Sequence, residues 1–579
     1  MLVRAKRPLI TRLRRRFRSG EALVLLLAVA VGAAAGLTTV IQSWFAHGLQ
    51  GLLYGVSENR LSALASIRHP AKLLFLPLGG IVLGLLIRFF AARRTPVDVV
   101  EANALHGGRI PWRDTMQVSA QTLVSNGFGA SVGLEATYAQ MGGGMASLAG
   151  SWLRLKRSEL RTLVGAGAGA AIGAAFSSPL TGAFYAFEIV LGAYTPAAMA
   201  PVAAAALAGA VVARAAGTAP FLSVIEVAHP QSTLSYLLYA LLGIVCSVCG
   251  IAIMRFQAMT ERGVAALRIA PWLRPVLGGM LLMPIAWITP QALSSGHGAL
   301  RLEMAVAPAL QFLLLVFALK VLASVISLSF GFRGGLFFAS LFLGSLLGPA
   351  YAQIVNLITG TPLLSTLDAA LVGMAGLSVT IVGGPMTLSL LILETTHDFD
   401  LTGVVLTAAL FANVVTRDRF GYSFSTWRLH LRGARIRSPR DIGWSEHLTA
   451  QRLMQLHPAI FEASRPIREF RAAVPLGSTG RVLLSSADGR FCGIVETAKA
   501  YDPRLDPLTP IDSLAEKHDG WVRPDLAIAD ILDRFEELEL DDLAVVDDQG
   551  RIIGMLTERY VSRRYIEESN KAQATVFGE

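Results

Sequence analysis

The chain has 579 residues, 53% of them hydrophobic and 16% charged, with a formal net charge of +10. Soluble domains average about 25% charged residues, so this composition, with a mean hydropathy of +0.53, points to lipid and away from a soluble globular protein. Of the three cysteines, Cys246 and Cys249 form a CxxC, but it lies in an apolar helix with no nearby histidine or second pair. A zinc or redox centre is therefore not expected there.

Residues 1–20, MLVRAKRPLITRLRRRFRSG, hold eight basic and no acidic side chains. Ahead of an apolar run, such a segment reads as a cytoplasmic anchor facing anionic lipid, in preference to a nucleic-acid arm. It shows no signal-peptide cleavage pattern. From about 21 to 418, within a membrane domain expected over 21–435, apolar stretches dominate, among them ALVLLLAVAVGAAAGLTTVI, YLLYALLGIVCSVCGIAI and LQFLLLVFALKVLASVISL. Each approaches the roughly 20 residues that cross a hydrocarbon core of about 30 Å. Others are short or broken by Gly and Pro, as in LVGAGAGAAIGAAFSSPLTGAFYAFEIV. Lipid tolerates no unsatisfied backbone, so broken helices are expected to lie against protein or to line a polar cavity. The 55 glycines suit closely packed helices.

The membrane part carries an internal repeat. SPLTGAFYAFE (178–188) aligns with GPMTLSLLILE (384–394), each with Thr two residues and Glu nine residues after its Pro. Upstream, GLEA (133–136) aligns with GLFF (335–338). Two like halves with Gly-interrupted segments at equivalent positions mark a transporter-like site near mid-membrane. Half-helix starts there offer N–H groups and partial positive charge to an anion. Glu135 is the only charged residue in SNGFGASVGLEATYAQMGGG. A charge at the bilayer centre costs roughly 2.5–3.5 kcal/mol on insertion scales, so Glu135 is expected to face protein or water. The symmetric Glu188 and Glu394 are expected to bond helix ends, and His297 to be a loop residue. No HExxH, GxSxG or clustered His and Asp occurs in the membrane segments, so neither an enzyme nor a cofactor is expected.

After FSTWRLHLRGARIRSPRD charge returns, and residues 436–579 read as a soluble α/β pair, about 448–505 and 506–568. VLLSSADGRFCGIVE repeats as LAVVDDQGRIIGMLTE, with Gly489 and Gly550, Arg490 and Arg551, and Gly493 and Gly554 each 61 residues apart.

These motifs together resemble the CLC chloride channels and transporters, and the tail resembles a CBS-domain pair. The resemblance covers nearly all of the chain beyond the basic start. It implies an all-α membrane domain of two inverted repeats with broken re-entrant helices, a cytoplasmic α/β CBS pair, and a homodimer with one pathway per subunit. GLEAT matches the motif whose helix start faces the anion, which makes Glu135 the gating glutamate, with Gly133 and Leu134 before it. GLFFA matches the second-half motif, with Ala339 in place of a proline. Leu336 and Phe337 would then offer backbone N–H groups, and Phe337 a pore wall. The family's late tyrosine matches Tyr422 in FGYSFSTW. For its serine motif, GGRIP (107–111) ends 24 residues before Glu135, too close for the family spacing. RRTPVDVVEANAL fits better: Thr95, Pro96 and Asp98 have the chemistry of N-cap, N1 and N3, and Thr95 would take the serine's role.

Proton-coupled members often carry a second glutamate where this chain has Ile189. The resemblance with this departure implies channel-like chloride conduction gated by Glu135. Chloride would compete with the carboxylate and protonation would release it. A proton/chloride antiporter is the alternative. Backbone and hydroxyl donors would bind a monovalent anion without a fixed cation, although Arg333 lies close. Nucleotide-binding CBS modules use an Asp where this chain has Lys499 and Tyr560, so a dimerising or structural tail is expected rather than a nucleotide sensor. The expected location is a bacterial inner membrane, with the N-terminus and tail cytoplasmic.

Overall fold

A computed structural model describes residues 21–56, 61–90, 95–219, 221–222, 232–305, 308–431, 448–516, 519–538 and 540–577. The basic start, residues 1–20, lies outside the described residues. Two compact units divide at 441/442, near the 435/436 boundary expected from composition.

The membrane unit carries two matched series of helices. The first comprises α1 (Glu21–Tyr54), α2 (Phe75–Phe89), α3 (Val99–Leu105), α4 (Trp112–Gly127), α5 (Glu135–Leu153), α6 (Arg157–Phe176), α7 (Pro179–Tyr185) and α8 (Pro196–Ala215). The second comprises α9 (Thr233–Ala266), α10 (Arg274–Ile288), α11 (His297–Ala305), α12 (Leu310–Ser329), α13 (Phe337–Thr359), α14 (Thr366–Val382), α15 (Pro385–Thr396) and α16 (Phe399–Arg419). A short α17 (Phe424–Leu431) follows. The opening helices α1 and α9 are both 34 residues long. Seven helices of the described residues are long and apolar enough to cross a bilayer, and the protein is a multi-pass membrane protein.

Small residues set how closely these helices approach. A Cβ on Gly142 of α5 would fall 2.2 Å from the Gly167 carbonyl oxygen of α6, and one on Gly344 of α13 would fall 2.2 Å from that of Gly373 in α14. The same backbone-to-backbone crossing thus occurs in both halves, as small residues permit in lipid.

The halves also cap each other. Pro179 and Pro385 open α7 and α15 at the first helical position, where a missing N–H costs nothing. The next N–H groups need acceptors. Glu394 accepts the N–H groups of Leu180 and Thr181 at 2.8 and 2.9 Å and the Thr181 hydroxyl at 2.7 Å. Glu188 accepts those of Met386 and Thr387 at 3.1 and 2.8 Å and the Thr387 hydroxyl at 2.6 Å. Helix-end bonding was the expectation for both glutamates; the structure adds that each reaches into the opposite half. After α7 the chain widens into a π turn, Ala186–Leu191.

The soluble unit holds two three-stranded sheets, β1 (Ile460–Glu462), β2 (Arg481–Ser485), β3 (Phe491–Glu496) and β4 (Trp521–Val522), β5 (Asp542–Val546), β6 (Ile552–Thr557). In each sheet the first pair is parallel and the second antiparallel. The modules meet reciprocally at their Gly turns: the Phe491 N–H donates to Gly550 at 3.0 Å and the Ile552 N–H to Gly489 at 3.2 Å. Arg481 pairs with Asp541 at 2.9 Å and Asp542 at 3.3 Å. The module boundaries differ from those expected. Ala450 and Leu453 pack into the second module's core with Val522 and Ile528, while Ile511 belongs to the first module's core. The Glu516 N–H bonds Ile494 of β3 at 2.9 Å, so the first module closes near 516 rather than 505. Apolar burial, not chain order, decides which module each flank joins.

Candidate functional site

The two Gly-Leu turns touch. The Gly133 N–H donates to the Gly335 carbonyl at 2.9 Å, and the Gly335 N–H donates back to Gly133 at 3.3 Å. Immediately after them α5 begins at Glu135 and α13 at Phe337, and neither Leu134 nor Leu336 supplies a side-chain cap. First-turn N–H groups have no partner within their own helix, so two sets of them, with their partial positive charge, converge on one place. The Glu135 side chain turns back into it. Backbone N–H groups of Glu135 itself and of Phe338 face the carboxylate. Its Oε2 is buried with no hydrogen-bond partner among the described residues. Glu135 is only 4% exposed. A Cβ on Gly133 would fall 1.9 Å from Oε2, so only glycine leaves room for this pose.

A polar seam fixes the turn. From α12, the Ser327 hydroxyl accepts the Ser131 N–H at 3.0 Å and Ser324 meets the Ser131 hydroxyl at 3.0 Å. The fully buried Lys320 donates to the carbonyls of Ser294 and Ala292 at 2.7 and 3.2 Å, and its charge acts on Glu135. Asn126 donates to the Val132 carbonyl at 2.7 Å. A lysine and hydroxyls on one stripe of an apolar helix thus satisfy irregular backbone that lipid could not.

Phe337 packs beside Tyr185 with ring centroids 6.1 Å apart, and Phe338 lies under the His297 ring at 3.3 Å. Next to Glu135 is a cavity of about 130 Å³, whose polar lining includes Asp98, Gln140, Tyr185, Arg333 and Arg428. A larger cavity of about 640 Å³ lies beside it and takes in Glu188, Tyr194, Arg417 and Tyr422. Ile189, Val382 and Ser425 border both.

The structure brings Glu135, Leu336 and Phe337 together on the smaller cavity, with Gly133 against the carboxylate. Leu134 is buried behind the turn and does not line it. Thr95 is exposed and lines neither cavity. The helix it was expected to cap starts at Val99, where Asp98 is the N-cap and its Oδ1 accepts the Glu101 N–H at 2.8 Å. The signal for this was present: Asp followed three residues later by Glu is a capping pattern. Tyr422 is also displaced from its expected place. It lines the larger cavity, with its hydroxyl 3.3 Å from His430 Nδ1, and Phe424 stands on the smaller one. The smaller cavity's hydroxyls therefore come from Tyr185 and Ser425, neither of which the sequence singled out. Arg333 does line it, so a cationic residue borders the cavity. No group of three or more His, Cys, Asp or Glu among the described residues could hold a metal.

Matched broken helices meeting end to end around a buried pocket define a polytopic membrane protein built from two like halves. The profile of the voltage gated chloride channel family matches residues 79–417, more than half of the chain, and the CBS-domain profile matches 517–567. The chain belongs to the voltage gated chloride channel family and ends in a CBS region. It is 26% identical over 406 residues to the voltage-gated ClC-type chloride channel ClcB of Escherichia coli, covering 68% of this chain and 95% of that one. Its fold matches a slow cyanobacterial Cl⁻/H⁺ antiporter at a TM-score of 0.63 and 22% identity, covering 71% of this chain and 98% of that one. A eukaryotic CLC transporter matches at 0.59 and 17%, covering 95% and 98%.

Proposed function

We propose that the protein moves chloride, or a similar monovalent anion, across the membrane through a pathway gated by Glu135. The observation that carries this is the buried carboxylate held against two converging helix starts, beside a cavity. A carboxylate in that position occupies the place an anion would take, since both are stabilised by the same N–H groups. Chloride then competes with Glu135, and a proton on Glu135 removes its charge and frees the place. Backbone donors bind at modest depth, so the ion can also leave. Ile189 stands on the wall between the two cavities and cannot carry a proton, which supports conduction of a channel-like kind. The presence of Asp98 in the same cavity favours a second reading, proton/chloride antiport.

On this reading the protein is not an enzyme and uses no cofactor. It works as a homodimer in a bacterial inner membrane, with its tail in the cytoplasm. Lys499 lies 2.6 Å from Glu516 and Tyr560 stands at the matching position of the second module, which supports a structural tail over a nucleotide sensor.

The test is chloride efflux from proteoliposomes with simultaneous proton recording, comparing wild type with Glu135→Gln. Wild-type flux should depend on pH and that of the variant should not. Equal pH dependence in both would refute the gate. Proton movement driven uphill by a chloride gradient would establish antiport.

A further inference from the structure

For Glu135 to leave the helix starts it must gain a proton, yet it is 4% exposed and packed among Phe337, Phe338 and the Gly turns. The cavity beside it has one other carboxylate among the described residues, Asp98. Asp98 is half-buried, so it reaches water where Glu135 does not. Capping α3 occupies only its Oδ1. The phenol of Tyr185 lines the same cavity and feels the charge of both carboxylates. The cavity's volume of about 130 Å³ also suffices for several waters, each of which needs about 10–15 Å³ by that measure.

We propose that Asp98 and Tyr185 form the proton-delivery limb of the gate, an inference that rests on Glu135 being the gate. Protonated Asp98 gives its proton to cavity water or to the Tyr185 oxygen, and the proton already on that oxygen passes to the Glu135 carboxylate. Asp98 ends as a carboxylate and Glu135 as an acid; one proton moves and no other bond changes. Arg333 and Arg428 line the same cavity. Asp114 of α4 accepts the Val97 N–H at 3.0 Å and so fixes the extended segment that carries Asp98, while the charge of Lys320 acts on Glu135. The limb needs no ionisable side chain at position 189.

The experiment is a rapid pH jump on each face of oriented proteoliposomes, reading how fast chloride flux approaches each variant's own acid plateau. Asp98→Asn and Asp98→Ser both keep an N-capping side chain, so α3 is retained. Each should slow the response from one face by about 100-fold, the lower end for a positioned proton-transfer group. Asp98→Glu should restore it, and Tyr185→Phe should slow it. Either Asp98 variant following the jump as fast as wild type overturns the limb. Glu135→Gln separates the two ideas: if it still follows pH, the gate itself fails, and if it is unresponsive while Asp98→Asn keeps pace, only the limb fails.

Discussion

Gly133→Ala is the sharpest test of the Glu135 pose. The new Cβ would lie 1.9 Å from Oε2, against 3.4 Å for ordinary contact, so the oxygen must retreat by 3.4 − 1.9 = 1.5 Å. Gly133 does not have a left-handed φ, so alanine adds no backbone strain, and the clashing atom is the end of a flexible side chain. The retreat pulls the carboxylate off the Glu135 and Phe338 N–H groups. A hydrogen bond to a charged group contributes about 1.5–3 kcal/mol, so weakening the N–H contacts that face the carboxylate by the equivalent of one would cost the closed pose about 3 kcal/mol at most. At 1.4 kcal/mol per decade that is at most about a 100-fold shift toward the open gate. Chloride efflux at neutral pH should therefore climb toward the acid plateau and lose most of its pH dependence. Gly335→Ala places its Cβ at 3.5 Å from the same oxygen, an ordinary contact, and should shift the response far less. Wild-type pH dependence in Gly133→Ala would refute the pose.

Other substitutions test separate parts of the account. Glu394→Ala removes three hydrogen bonds to the start of α7 and should lower stability by about 2–4 kcal/mol, read as a drop in detergent Tm; an unchanged Tm would deny the reciprocal clamp. Lys320→Met strands two buried carbonyls at about 1–3 kcal/mol each, so the yield of monodisperse protein should collapse, and normal yield and Tm would contradict it. Tyr422→Phe should leave the anion selectivity of efflux unchanged, whereas Phe424→Ala should alter it, because only Phe424 lines the smaller cavity. In the soluble tail, burial holds the Asp542 carboxyl above its ordinary value while Arg481 opposes the rise. A raised folded value means stability is fullest below the ordinary carboxylate range and is lost as pH rises through the folded value. Arg481→Ala should therefore lower the tail's Tm at neutral pH and recover part of it on acidification, and a pH-independent loss would contradict this.

The paired halves were legible in sequence because a helix break in lipid needs the same chemistry wherever it occurs: Gly-Leu before a helix start, Pro at its first turn, a glutamate nine residues on. GLEA and GLFF gave the meeting point of the halves for that reason. What could not be read was tertiary. The Asp98 cap of α3 was within reach of the sequence, since Glu101 three residues on marks it, but that the Val97 N–H before it bonds Asp114 of α4 was not. Tyr422 and Phe424 are two residues apart, and only the direction of the turn before α17 decides which one meets the cavity. Glu188 and Glu394 were recognised as helix-end acceptors, but their crossing between halves depends on contacts about 200 residues away. The exchange of flanks between the two soluble modules is invisible for the same reason.

The central claim is that the Glu135 carboxylate and the transported anion compete for one set of helix-start N–H groups. Calorimetric titration of chloride into purified protein over a pH series tests it directly. Chloride affinity should strengthen on acidification in wild type and be high and flat in Glu135→Gln. Equal, pH-independent affinity in the two proteins would contradict it.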